Sequence, residues 1–104
     1  MITGKAGYKQ VAHVEKIFSA RRVSVVTIKS RGMSELSKAI KSIDSSYVSG
    51  LKDYGRVVLA VQRARTPAAK KTVQTRLREV NSRLNQLSAR KKKALALVRM
   101  IKKL

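Results

Sequence analysis

The sequence predicts an α/β protein: a small β-α-β-α-β domain over residues 1–66, followed by a long basic helix over residues 67–104. Three observations predict it. A β-branched run, Val23, Val25, Val26, Thr27 and Ile28, follows a segment of helical periodicity. A second apolar run, Val57 to Val61, is strand-like. From Val73 the apolar residues recur at spacings of 4, 3, 4 and 3, which fits a helical heptad better than a two-residue alternation.

Each element follows in chain order. MITGKAG, residues 1–7, reads as a short strand or loop. YKQVAHVEKIFSA, residues 8–20, sets Tyr8, Val11, Ala12, Val14, Ile17 and Phe18 near a 3.6-residue period, with Lys9, Glu15 and Lys16 outside. Residues 23–29 then read as a strand bounded by Arg21-Arg22 and by Gly32. Ser34 is placed to cap a second helix whose buried face holds Leu36, Ala39, Ile40 and Ile43. Around SSYVSGLKDYG the helical signal fails, because Ser, Gly and Asp accumulate. GRVVLAVQRAR, residues 55–65, supplies the last strand, although periodicity alone does not separate a short apolar run from a helix.

Thr66-Pro67 is the firmest boundary, with Thr as N-cap and the only proline at the first helical position. Beyond it, Val73, Leu77, Val80, Leu84 and Leu87 form a seam whose register continues to Lys91, Ala94, Val98 and Ile101. Such a helix is about 55 Å long at 1.5 Å per residue. Its seam suits pairing with another helix, across a homodimer or higher oligomer or back onto the body.

Composition narrows the function. A chain of 104 residues suits one domain, and 43% apolar content suits a packed core. Twenty-five Lys and Arg against five acids leave a net charge of +20, with +9 before Pro67 and +11 from it onward. So much like charge repels itself, and a polyanion relieves that repulsion; nucleic acid is the first candidate. With no cysteine, disulfides, thiol catalysis and thiolate metal sites are excluded. The acids Glu15, Glu35, Asp44, Asp53 and Glu79 are scattered, and His13 is a lone histidine near the buried face of the first helix. No enzyme activity, metal or cofactor is expected. The N-terminus lacks the apolar core of a signal peptide, and the apolar stretch near the C-terminus is broken by Arg99. A soluble protein is expected, cytoplasmic and nucleoid-associated, with a virion as the alternative.

Several basic stretches admit more than one use. ITGKAG suits a phosphate held by backbone N–H groups and Lys5, and equally a plain N-terminal lead. In KSRG, an extended chain puts Lys29 and Arg31 on one side, as a phosphate clamp or as an ordinary basic turn. On the terminal helix Arg76, Arg83 and Arg90 recur every seven residues, with Arg78, Lys92 and Lys93 adding to the polar faces. ALALVRMIKKL also suits a membrane surface, but the chain has no Trp and is basic throughout, which favours nucleic acid. The few aromatics (Tyr8, Phe18, Tyr47 and Tyr54) favour backbone contact over base stacking.

Gly4-Lys5, VSVVTIKSRG and SKAI at residues 37–40 together resemble the N-terminal half of the Alba family of archaeal chromatin proteins, over residues 2 to 45. The resemblance implies a small dimeric α/β fold, related to the C-terminal domain of an initiation factor, that binds DNA or RNA. It places Lys5 in a loop facing the nucleic-acid backbone and Lys29 and Arg31 along the same surface. Ala6 departs from the family, which has a second lysine there, and one extra residue precedes SKAI. The heptad helix stands where the family has the second strand of a hairpin arm. Arg63, Arg65, Lys70 and Lys71 are therefore candidates on their own charge. The expected function is packaging of double-stranded DNA without sequence preference. The contacts are Lys5, Lys29, Arg31, Arg63, Arg65, Lys70, Lys71, Arg76, Arg83 and Arg90, with Val73, Leu77, Val80, Leu84 and Leu87 as an oligomerisation seam. The alternatives are a structural RNA-binding protein of a ribonucleoprotein and a viral protein forming a helical nucleocapsid.

Overall fold

The computed structural model describes residues 4–20 and 23–104. It overturns the α/β expectation and with it the Alba-like domain: among the described residues every regular element is helical. In order these are α1 (Tyr8–Ser19), the single turn α2 (Val25–Thr27), a π-helical turn (Ile28–Gly32), α3 (Met33–Arg63) and α4 (Pro67–Lys102). The N-terminal strand expected within residues 1–7 is a turn from Gly4 to Gly7, with residues 1–3 outside the described part. The Arg21-Arg22 boundary also lies outside it.

Helix α1 starts where the sequence indicates, and a glycine sets its entry. Gly7 has φ 72, a left-handed conformation that a side chain disfavours. A Cβ there would also stand 3.1 Å from the Ala39 carbonyl oxygen. The helix buries Val11, Val14 and Ile17.

The run VSVVTIKSRG is helical from Val25 onward for two reasons. The Ser24 hydroxyl accepts a hydrogen bond from the Thr27 N–H at 3.2 Å, an N-cap that starts a helix where a strand was expected. Val and Thr cost a helix only about 0.5 kcal/mol each, which packing offsets. Ile28 and Gly32, four apart, are both buried, and a Cβ on Gly32 would come within 2.9 Å of Ile101 Cδ1. The wide π turn keeps this pair on the face that continues through Leu36, Ala39 and Ile43. Ser34 is accordingly inside a continuing helix and caps nothing.

The second expected strand, GRVVLAVQRAR, and the expected break at SSYVSGLKDYG both lie inside α3. Their Ser, Gly and Asp residues weaken a helix individually, but α4 packs antiparallel along α3. Val57, Val61 and Ala64 are half-buried at spacings of four and three, a helical pattern within an apolar run. Helix α3 stops at Arg63, and the Ala64 N–H bonds back to the Ala60 and Val61 carbonyls at 3.0 and 3.3 Å. Thr66 then caps α4 by accepting from the Ala69 N–H at 3.1 Å, with Pro67 at the first helical position, as expected.

The result is a rod of 60 × 19 × 17 Å, built as a long helical hairpin with α1 laid along one side of its base. The core joins Val11, Val14, Ile17, Ile28, Leu36, Ala39, Ala94, Leu97 and Ile101. Leu97 is buried in addition to the expected register, and Val98 is half-buried and packs against the same cluster. Helix α1 does not reach the far half of the hairpin. There, from residue 51 to 79, no residue is buried. The molecule is thus a three-helix base continued by a two-helix arm.

Candidate nucleic-acid interface

Three of the five acids tie elements to one another, and a fourth pairs within α3. Glu15 meets Lys93 at 2.7 Å, joining α1 to α4; Glu35 meets His13 at 2.8 Å, joining α3 to α1. Asp44 meets Lys91 at 2.6 Å, joining α3 to α4, and Asp53 lies 4.0 Å from Arg56. His13, expected near the buried face, has a half-exposed side chain held by this contact. The acids therefore engage few of the cations, and the surface keeps most of the positive charge.

The cations fall into distinct places. Arg63 and Arg65 flank the hairpin turn, and Lys70 and Lys71 stand in the first two turns of α4; all four are exposed at the tip of the arm. The first turn of α4 holds no acid, so Lys70 and Lys71 sit at the positive end of a helix dipole with nothing to offset them. That arrangement is unfavourable for the free chain and favourable for a bound anion.

Lys71 also begins a line along the outer face of α4. Lys71, Arg78, Lys92 and Arg99 are all exposed, and Asn85 holds the remaining heptad position. Successive members are about 10.5 Å apart, and the line winds by roughly 20° per heptad on a straight helix. None of these four cations takes part in an ion pair among the described residues.

The heptad line expected from sequence, Arg76, Arg83 and Arg90, lies closer to the packed seam and is divided in use. Arg76 is exposed, while Arg83 is half-buried. Arg90 is a structural clamp. Its guanidinium donates to the carbonyl oxygens of Gly4 and Ala6, the latter at 3.2 Å, and lies 5.3 Å from the centre of the Tyr8 ring. Gly4 itself is pressed against the Gln86 side chain, whose Oε1 occupies the space a Cβ would need. ITGKAG is thereby docked from Gly4 onward, with its carbonyls turned to α4. Lys5 remains exposed and shares a shallow groove with Arg78, Glu79 and Arg83.

Lys29 and Arg31 are exposed on the π turn at the base. Their expected placement on one side of an extended strand does not hold, because residues two apart on a helix point to divergent directions. Of the expected oligomerisation seam, Val80, Leu84 and Leu87 are buried and Val73 and Leu77 half-buried within a single chain. Helix α3 covers them, so the seam packs back onto the body.

Comparison with known proteins adds no relative: no family model matches the chain, and no curated protein or solved structure matches it either. The class that fold and surface define is a basic, all-helical hairpin protein. Among the described residues no helix is long and apolar enough to cross a membrane, and no cluster of side chains is arranged to hold a metal ion.

Proposed function

We propose that this chain is a non-enzymatic protein that coats double-stranded DNA through its phosphate backbone, with little sequence preference. The observation that carries the reading is the outer line of α4, Lys71, Arg78, Lys92 and Arg99, continued at the tip by Arg63, Arg65 and Lys70. A slowly winding row of exposed cations, on a helix whose single acid is Glu79, suits a row of phosphates.

Size and charge agree with coating. A rod 60 Å long laid along a duplex passes about 35 phosphates, counting both strands, and the chain brings +20. One copy thus carries more than half of the charge that would offset what it lies beside, which favours packaging over reading of a short site. Base stacking has little support, since among the described residues the only exposed aromatics are Tyr8 at 59% and Tyr54 at 37%.

The test is a titration of duplex DNA, single strands and folded RNA at several salt concentrations. Duplex affinity that falls steeply with salt and ignores sequence supports the proposal. Preference for folded RNA in direct competition would replace duplex DNA by RNA as the partner, and affinity indifferent to salt would overturn the backbone mechanism.

A further inference from the structure

We infer that the exposed face of α3 centred on Gly55 is a two-fold contact surface for a second copy of this chain. Val48, Leu51 and Leu59 are 54%, 49% and 51% exposed. With Gly55 they lie within about 40° of one line on the helix, at roughly 100° per residue. That line is separate from the face packed on α4, where Leu36, Ala39, Ile43 and Gly50 are buried about 130° round the helix.

Gly55 is the key residue. It lies in the interior of α3 with ordinary negative φ, and nothing stands within 4 Å of where a Cβ would be. Nothing inside the chain requires a glycine there, and glycine weakens a helix relative to alanine. A second helix crossing closely at this point does require one.

The pattern about Gly55 selects a copy of the same chain as the occupant. A leucine stands four residues before it and another four residues after it. In an antiparallel pairing with Gly55 against Gly55, Leu51 of one copy comes level with Leu59 of the other, and Val48 comes level with Gln62. The same patch then serves both copies, as a two-fold interface demands. It also covers part of the arm in which no residue from 51 to 79 is fully buried within the chain.

Lys52 and Arg56 are exposed beside the face and stand near their counterparts in the other copy. Their repulsion makes the contact strengthen with salt, as the Debye length drops from about 10 Å at 0.1 M to about 3 Å at 1 M. The proposed DNA contacts weaken with salt, so the two interactions separate by sign. The patch is also small beside the roughly 800 Å² per partner of a standard interface, so the free chain associates weakly.

The experiment is sedimentation velocity of the full chain without nucleic acid over a range of protein and salt concentrations. The expected result is a monomer–dimer equilibrium that shifts to dimer as salt rises. Leu51→Lys with Leu59→Lys should weaken it by roughly 30-fold or more, with helicity unchanged because both side chains are exposed. Gly55→Ala should raise the thermal stability of the monomer and weaken the dimer. Because the chain has no cysteine, single thiols report the geometry without background. Gly55→Cys should cross-link under mild oxidation, whereas Leu51→Cys should not, since its two copies lie about 12 Å apart along the pair. A chain that stays monomeric at every salt, or a dimer untouched by the double lysine variant, overturns the inference. Cross-linking of Leu51→Cys as readily as Gly55→Cys overturns the antiparallel pairing.

Discussion

Replacing Lys71, Arg78, Lys92 and Arg99 together by alanine tests the proposed interface where it is most specific. These four and the tip residues Arg63, Arg65 and Lys70 are seven exposed cations. If each meets one phosphate, log affinity against log salt falls with a slope of about −6.3, at 0.9 per phosphate. Between 50 and 200 mM salt the affinity then drops by roughly 6,000-fold. The fourfold variant keeps three contacts, so its slope is about −2.7 and the same change of salt costs roughly 40-fold. Fluorescence anisotropy of a labelled duplex measures both slopes, with circular dichroism to confirm that helicity is unchanged. The matched control replaces Lys9 and Lys16 of α1 with Lys38 and Lys41 of α3, four cations that are also exposed but lie off the α4 line. Its slope should stay near that of the unaltered chain. If the slope tracks the charge removed and ignores the edge it is removed from, the protein binds as a diffuse polycation, and the argued line of contacts is refuted.

Three further outcomes concern the scaffold. Leu87 is fully buried between α3 and α4, so Leu87→Ala should cost about 2–5 kcal/mol in chemical denaturation, whereas exposed Leu59→Ala should stay within about 0.5 kcal/mol. Gly7→Ala should destabilise by at least about 1–2 kcal/mol, the cost of a left-handed residue carrying a Cβ, measured as a lowered Tm. Arg90→Ala should raise amide exchange in residues 4–8 by releasing the Gly4 and Ala6 carbonyls, and leave the salt slope of DNA binding unchanged.

Helices α1 and α4 were legible because a 3.6-residue period and a Thr-Pro cap are local signals that packing reinforces. The two mistaken strands share one cause: β-branched apolar runs satisfy strand and buried helix alike. For VSVVTIKSRG the Ser24 cap and the Ile28–Gly32 pair decide in favour of helix, and the second depends on Ile101, more than 60 residues away. For GRVVLAVQRAR the deciding signal was present, since Val57, Val61 and Ala64 already follow helical spacing. The resemblance to Alba rested on short motifs that a helix accommodates as readily as a strand. At the surface, the tip cations could be found from charge alone. Two heptad lines of cations run along α4, however, and only the position of the N-terminal turn shows that Arg90 is engaged inside while Arg78, Lys92 and Arg99 face out.

The division of the rod into a buried base and an arm with only half-buried contacts has a thermodynamic consequence. Helical hydrogen bonds alone barely hold a helix together in water, so order in the arm rests on half-buried contacts between two helices. Local opening therefore costs least at the Ala64–Thr66 turn and most where α1 closes the core. The end that carries Arg63, Arg65, Lys70 and Lys71 is the end that yields most easily. Such a molecule holds its shape from one end and lets the other conform to whatever it lies against.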